Sequence, residues 1–298
     1  MKKLFLVLAG FACLIPSFVR ADGYKDRDRL QPQTIFENGY AFQGFDCTPL
    51  TGAPKSAKTV GLLEAIVTNS LGSAVNAGIA MRLADSDWGW GIVDASATPD
   101  WDGTFDSGCQ NATTDDCEFI HSGVANNDGA LIASTSQFDA VCANMTSGTN
   151  GASTGVMAVK YYDGSAMQTI TTLATRSDET DWATANGKVC TWWRAPNDQV
   201  TGCTAAVAAA GDCASKYVVE LVWTTATDTV IKASQVKVGK LLKSQEALAD
   251  NSSAELYFDP SDTVLPAGRC FMPVFGGASG TTGTNAANGI FLKFREME

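Results

Sequence analysis

Histidine is almost absent from this chain: there is one, His121, in 298 residues. Zinc centres that need two or three imidazoles are thereby excluded. No Cys-x-x-Cys-His segment occurs, which removes covalent haem attachment. No glycine-rich loop ends in Lys-Ser or Lys-Thr, which removes the common phosphate cradle. Positive charge is also scarce, with 21 Lys and Arg against 32 Asp and Glu. Such a surface argues against phosphate-backbone binding, so no nucleic-acid partner is expected. Long apolar runs are few. The most apolar stretch beyond the first residues, 60–83, is broken by Glu64, Asn69, Asn76 and Arg82, and a charge at mid-bilayer costs a few kcal/mol.

The one other apolar run lies at the start. Lys2 and Lys3 precede an apolar segment from Leu4 to Ile15, and Val19-Arg20-Ala21 offers a cleavage site. This is the three-part pattern of a secretory signal peptide, so residues 1–21 are expected to be removed. The segment is too short for a span of about 20 residues, and Pro16 interrupts its end. Losing Lys2, Lys3 and Arg20 leaves 18 cations against 32 anions. The product is expected outside the cell, at its surface or in the periplasm, from a bacterial source, with no membrane span after cleavage.

Removal of Cys13 with the leader leaves eight cysteines: Cys47, Cys109, Cys117, Cys142, Cys190, Cys203, Cys213 and Cys270. An even count in an exported chain reads as disulfides. The close pairs Cys109/Cys117 and Cys203/Cys213 are the expected bridges. The wider pairs Cys47/Cys142 and Cys190/Cys270 would nest around them, four cysteines on each side of a low-complexity loop at 143–155. That nesting hints at two halves dividing there, while connectivity itself stays open.

Turn chemistry carries the fold argument. Asn-Gly occurs at 38, 150, 186 and 288, and Asp-Gly at 102, 128 and 163; both dipeptides suit tight hairpins. The clearest hairpin runs from Val156 to Tyr162, through Asp163-Gly164, to Met167 onward. Tyr217 to Trp223 is apolar on nearly both faces, as a central strand would be. Ile290, Leu292 and Phe294 alternate with Lys293 and Arg295. About a dozen strands are expected, in an all-β antiparallel β-sandwich or jelly-roll-like fold with short helices in loops. Leu241 to Ala249 and Ala205 to Ala210 are the helical candidates, and 60–83 is ambiguous. Residues 22–33 lack an apolar pattern and read as a flexible arm before a domain covering 34–298.

Two matches to chemical motifs are weak. Gly151-Ala152-Ser153-Thr154-Gly155 fits the nucleophile-elbow spelling, but it lacks the strand before and the helix after. His121 reads as an ordinary strand residue. The richer candidate is the acidic, tryptophan-bearing segment 85–106. Asp85, Asp87, Asp100, Asp102 and Asp106 are candidate calcium ligands, since calcium takes six to eight oxygens in flexible geometry. Trp88, Trp90 and Trp101 are candidate rings for stacking on a glycan. The competing reading is a solvated acidic loop whose tryptophans tuck into the core edge. Trp192-Trp193 reads as a strand with one ring on each face, packed around a disulfide.

Together these features predict an exported, non-catalytic structural or adhesive surface protein, with self-association into an extracellular filament or coat as its specific form. Calcium is the one cofactor considered. The alternative is a secreted polysaccharide-binding or polysaccharide-degrading protein that uses the loop 85–106 on a glycan.

Overall fold

The β-branched and aromatic runs between turn dipeptides become strands throughout a computed structural model of the chain. It describes residues 28–33, 36–37, 40–41, 60–70, 72–93, 101–106, 109, 117–118, 129–147, 157–173, 187–204, 213–223, 232–259, 263–265, 271–277 and 289–296. In chain order the strands are β1 (Asp28–Gln33), β2 (Phe36–Glu37), β3 (Tyr40–Ala41), β4 (Val60–Asn69), β5 (Val75–Arg82), β6 (Trp88–Val93), β7 (Trp101–Asp106), β8 (Cys117–Glu118), β9 (Gly129–Ser134) and β10 (Ala140–Ser147). They continue as β11 (Met157–Tyr162), β12 (Met167–Ile170), β13 (Gly187–Trp192), β14 (Tyr217–Trp223), β15 (Lys232–Leu248), β16 (Ser252–Tyr257), β17 (Val264–Leu265), β18 (Phe271–Gly277) and β19 (Gly289–Glu296).

Three antiparallel sheets form an all-β sandwich. A terminal sheet runs β1-β19-β4-β16, with β17 also on β4. A shared sheet runs β13-β10-β15-β5-β18, with β8 on β15, and an outer sheet runs β12-β11-β14-β9-β6-β7. The long strand β15 organises all of this. Its first part pairs with β10 and its second with β5, and Gly239 is where the two overlap, matched by Ala140 and Arg82.

Two main cores lie along one face of β15. Val236 and Val238 enter the first, where the outer sheet contributes Trp88, Trp90, Ile132 and Leu221. Leu242 and Leu248 lie at the second, with Leu62, Val67, Ile79 and Leu292. The cores are nested in sequence. Residues 83–238 build the first, and 62–79 with 242–292 build the second. A cut near 143–155 does not divide them, because Ala143 and Met157 serve the same core.

The corner between terminal and shared sheets is held by a side chain. Asn69, only 2 % exposed, donates through Nδ2 to the carbonyls of Ser73, Leu248 and Ala249 at 2.8, 2.8 and 3.1 Å. These bonds tie the β4–β5 turn to the β15–β16 turn, and both connections cross from one sheet to the other.

Four expectations change. The segment 241–249 is not a helix: up to Leu248 it is the end of β15, because pairing with β5, interrupted by two register shifts, takes up most of its backbone groups. Among the described residues the only helical turn is the 3₁₀ turn Asp85–Asp87; Ala205–Ala210 falls outside them. The stretch 60–83 resolves into β4 and β5. From Asp28 the supposed free arm is an edge strand, held to β19 by backbone pairing that needs no apolar pattern.

The cysteine pairing is the fourth. Cys109–Cys117 and Cys203–Cys213 are bridged. The third bond joins Cys142 to Cys190, so the Cys47/Cys142 and Cys190/Cys270 pairs are corrected. Register explains it, since β10 and β13 place Cys142 directly opposite Cys190. Cys47 and Cys270 lie outside the described residues, as do the leader, His121 and Ser153. Among the described residues no helix is long and apolar enough to cross a membrane, which says nothing about β-barrels.

Candidate functional site

Among the described residues the backbone places the acidic, tryptophan-rich candidates at several separate register positions. Asp85 and Asp87 sit on the 3₁₀ turn that enters β6. Across the β6–β7 ladder Asp106 pairs with Trp90, whereas Asp102 pairs with Ile92 and Trp101 with Val93, towards the other end. Asp100 is outside the described residues. One Arg82 nitrogen, Nη2, donates to both carboxylate oxygens of Asp85, at 2.6 and 2.7 Å. Among the described residues no group of three or more His, Cys, Asp or Glu side chains is placed to hold a metal ion.

The tryptophans show why the segment is so aromatic. Trp88 and Trp90 are 5 % and 2 % exposed and belong to the first core, so neither presents a face for stacking on a sugar. The glycan role assigned to them is therefore corrected: alternation along β6 sends both rings inward, as in the core-edge reading. Trp192 and Trp193 lie on opposite faces of the shared sheet. Trp193 meets Phe138 edge-on at 6.2 Å in the first core, and Trp192 packs with Cys142 and Cys190 behind it.

Three polar residues that the sequence reading passed over are held inside the shared sheet. Asp139, 5 % exposed, sits at the point where β10 begins and β15 changes partners. Its amide donates to the Gly239 carbonyl and its carbonyl accepts from Trp193 N–H. Its carboxylate accepts the Leu241 amide, an N–H beyond the end of the β10 ladder. Burial pushes the carboxyl up to about 7, with the Leu241 bond and the Lys240 charge opposing. Lys237, 4 % exposed, is pushed down to about 8 by burial and by Arg82, while Asp85 acts the other way. Arg82 is the third, its guanidinium divided between Asp85 and the sheet interior.

A faint signal for these existed. Asp139 stands inside the apolar run Phe138–Cys142, and Lys237 alternates with Val236 and Val238. In a sheet covered on one face only, alternation sends the lysine to water. Here both faces are packed, so the polar member of the alternation is buried as well.

Searches of protein-family models, curated proteins and solved structures found no match to this chain.

Proposed function

We propose that this protein is an exported, non-catalytic structural component of the cell surface, a subunit of an extracellular filament or coat. One observation supports it above the others: β15 runs through both cores as a single 17-residue strand, and two of the described disulfides, Cys109–Cys117 and Cys142–Cys190, staple the strands β8 and β10 that pair with its first half. Disulfides persist outside the reducing cytosol, so this stapling suits work beyond the membrane.

The terminal sheet offers a route to self-association. Among the described residues β1 is bordered only by β19. Its sequence, DRLQPQ, has one large aliphatic residue, and Pro32 donates no ladder bond. A second copy's β1 fits the same edge of β19, which is strand addition in the donor-strand manner. The test follows rising concentrations of the chain from Asp22 by light scattering and negative-stain microscopy. Assemblies are expected, and deletion of 22–33 should abolish them without changing the far-ultraviolet circular dichroism. Monomers at every concentration would sink the proposal.

The glycan alternative rests on Trp101 alone, on the edge strand β7. Polysaccharide pulldown lost in Trp101→Ala would favour it. Calcium accompanies either reading as a stabilising ion, and a melting temperature unmoved by chelator would remove it.

A further inference from the structure

We propose that the open edge of β16 is the docking surface for a second copy, whose β1 edge continues the terminal sheet from one molecule into the next. The inference rests on the self-association reading, but each β1 stays on its own β19 and offers its other side. Among the described residues the path of this sheet ends at β1 and at β16.

Backbone direction at both edges follows from two hydrogen bonds. Phe258 N–H donates to the Leu63 carbonyl at 2.8 Å, whereas the Tyr257 carbonyl accepts from Lys243 Nζ. Along an antiparallel strand the backbone groups alternate between the two sides. Ser253, Glu255 and Tyr257 therefore turn their N–H and C=O groups away from β4. Carried through the registers of β4 and β19, the same alternation turns Asp28, Leu30 and Pro32 outward on β1. Pro32, which has no N–H, thus stands where β19 loses no bond.

The two edges complement each other. On β1, Asp28 and Leu30 offer an N–H and a carbonyl each, and Pro32 a carbonyl alone. On β16 the three outward residues each offer an N–H, while the Tyr257 carbonyl is engaged by Lys243. The edge short of a donor meets the edge short of an acceptor. Ser253 and Glu255 are exposed and Tyr257 is 60 % exposed, so this edge is accessible. Pairing β16 with itself about Glu255 would set two like charges opposite each other. Pairing β1 with itself would stop at two copies. Every pairing along the path β1-β19-β4-β16 is antiparallel, so a copy added in the same orientation keeps the alternation. Such a head-to-tail contact repeats from copy to copy, as a filament requires.

The test uses the chain from Asp22 at concentrations where it assembles. Hydrogen exchange in the assembled chain, compared with the dilute monomer, should slow about tenfold or more at the Ser253, Glu255 and Tyr257 amides, and not at Ala254. That readout needs no variant to fold. Glu255→Pro removes one outward N–H and leaves the β4 ladder intact. It should keep the wild-type circular dichroism and stay monomeric by light scattering, while Glu255→Gln, which keeps the N–H, should assemble. Unchanged exchange at β16 on assembly, filaments from Glu255→Pro, or growth that stops at dimers overturns the docking surface and leaves self-association standing. A wild-type chain that is monomeric at every concentration overturns both.

Discussion

The two cores on β15 are built from different materials. The first is aromatic, with Trp88, Trp90, Trp193, Trp223 and Phe138 in it, and it holds the Cys109–Cys117 bridge; the other two described disulfides lie in smaller clusters on the far faces of the shared and outer sheets. The second is mainly aliphatic, with Leu62, Val67, Ile79 and Leu292, and none of the described disulfides lies there. The first comes from a continuous stretch of chain, whereas the second brings together the distant segments β4 and β19, with Leu62 and Leu292 in one core. Bridging thus falls on the half with locally connected strands, and the half that joins the ends of the chain relies on packing.

The largest effect should come from the staple that crosses the shared sheet. Cys142→Ala with Cys190→Ala opens a bond of 48-residue separation, which the chain-entropy estimate values at about 4 kcal/mol. Urea unfolding should show that loss, and hydrogen exchange should quicken in β10 and β13 more than in β4. Equal acceleration in both would erase the distinction between the halves. Ile79→Ala is the counterpart in the second core. It removes a fully buried side chain at a cost of about 3 kcal/mol. A single unfolding transition in both variants is expected if β15 couples the cores; two separated transitions would show that it does not.

Between the halves sits Asp139, and here the prediction concerns pH. Its folded pKa is raised to about 7, above an unfolded value near 4. The folded state therefore binds the extra proton between those values, and stability contributed by this group falls as pH rises from 4 to 7. The loss from pH 5 to 7 is roughly 2 kcal/mol at one pH unit per 1.36 kcal/mol. Asp139→Asn keeps an oxygen for the Leu241 amide and removes the titration. The difference in stability between wild type and variant should then change across that window. A constant difference would mean that Asp139 does not titrate there.

Much of this architecture was legible because it is local. The β11–β12 hairpin follows from two alternating runs around Asp163-Gly164, and β14 from a seven-residue run that is apolar except for Glu220, with strands on both sides. The inward turn of Trp88 and Trp90 was available as the plainer reading of the acidic loop. What escaped is non-local. Leu241 to Leu248 has helix-forming residues, and only β5, more than 150 positions earlier, makes it a strand. The Cys142–Cys190 bond depends on a register between β10 and β13 that no spacing rule supplies. Lys237 and Asp139 look solvated until the second face of the shared sheet is known to be packed.

The smallest effect tests whether a turn far from β15 leaves the second core alone. Asp163 starts the β11–β12 turn, where Gly164 takes φ +101°. Its Oδ1 accepts from Ser165 N–H, Ser165 Oγ and Ala166 N–H, each at 2.8 Å, and Oδ2 accepts from Gln168 at 2.9 Å. The two backbone bonds lead in holding the carboxyl well below the usual carboxylate range. With a depressed folded pKa, the contribution is present above about pH 4 and is lost as pH falls below it. Asp163→Ala should lower Tm by a small amount at pH 6, and the gap to wild type should narrow towards pH 3. Hydrogen exchange in β4 should not change, since the turn closes an edge of the outer sheet and touches neither β15 nor the terminal sheet. A gap as wide at pH 3 as at pH 6 would mean that the charge does not hold the turn, and a response in β4 would mean that the coupling through β15 reaches further than the two cores.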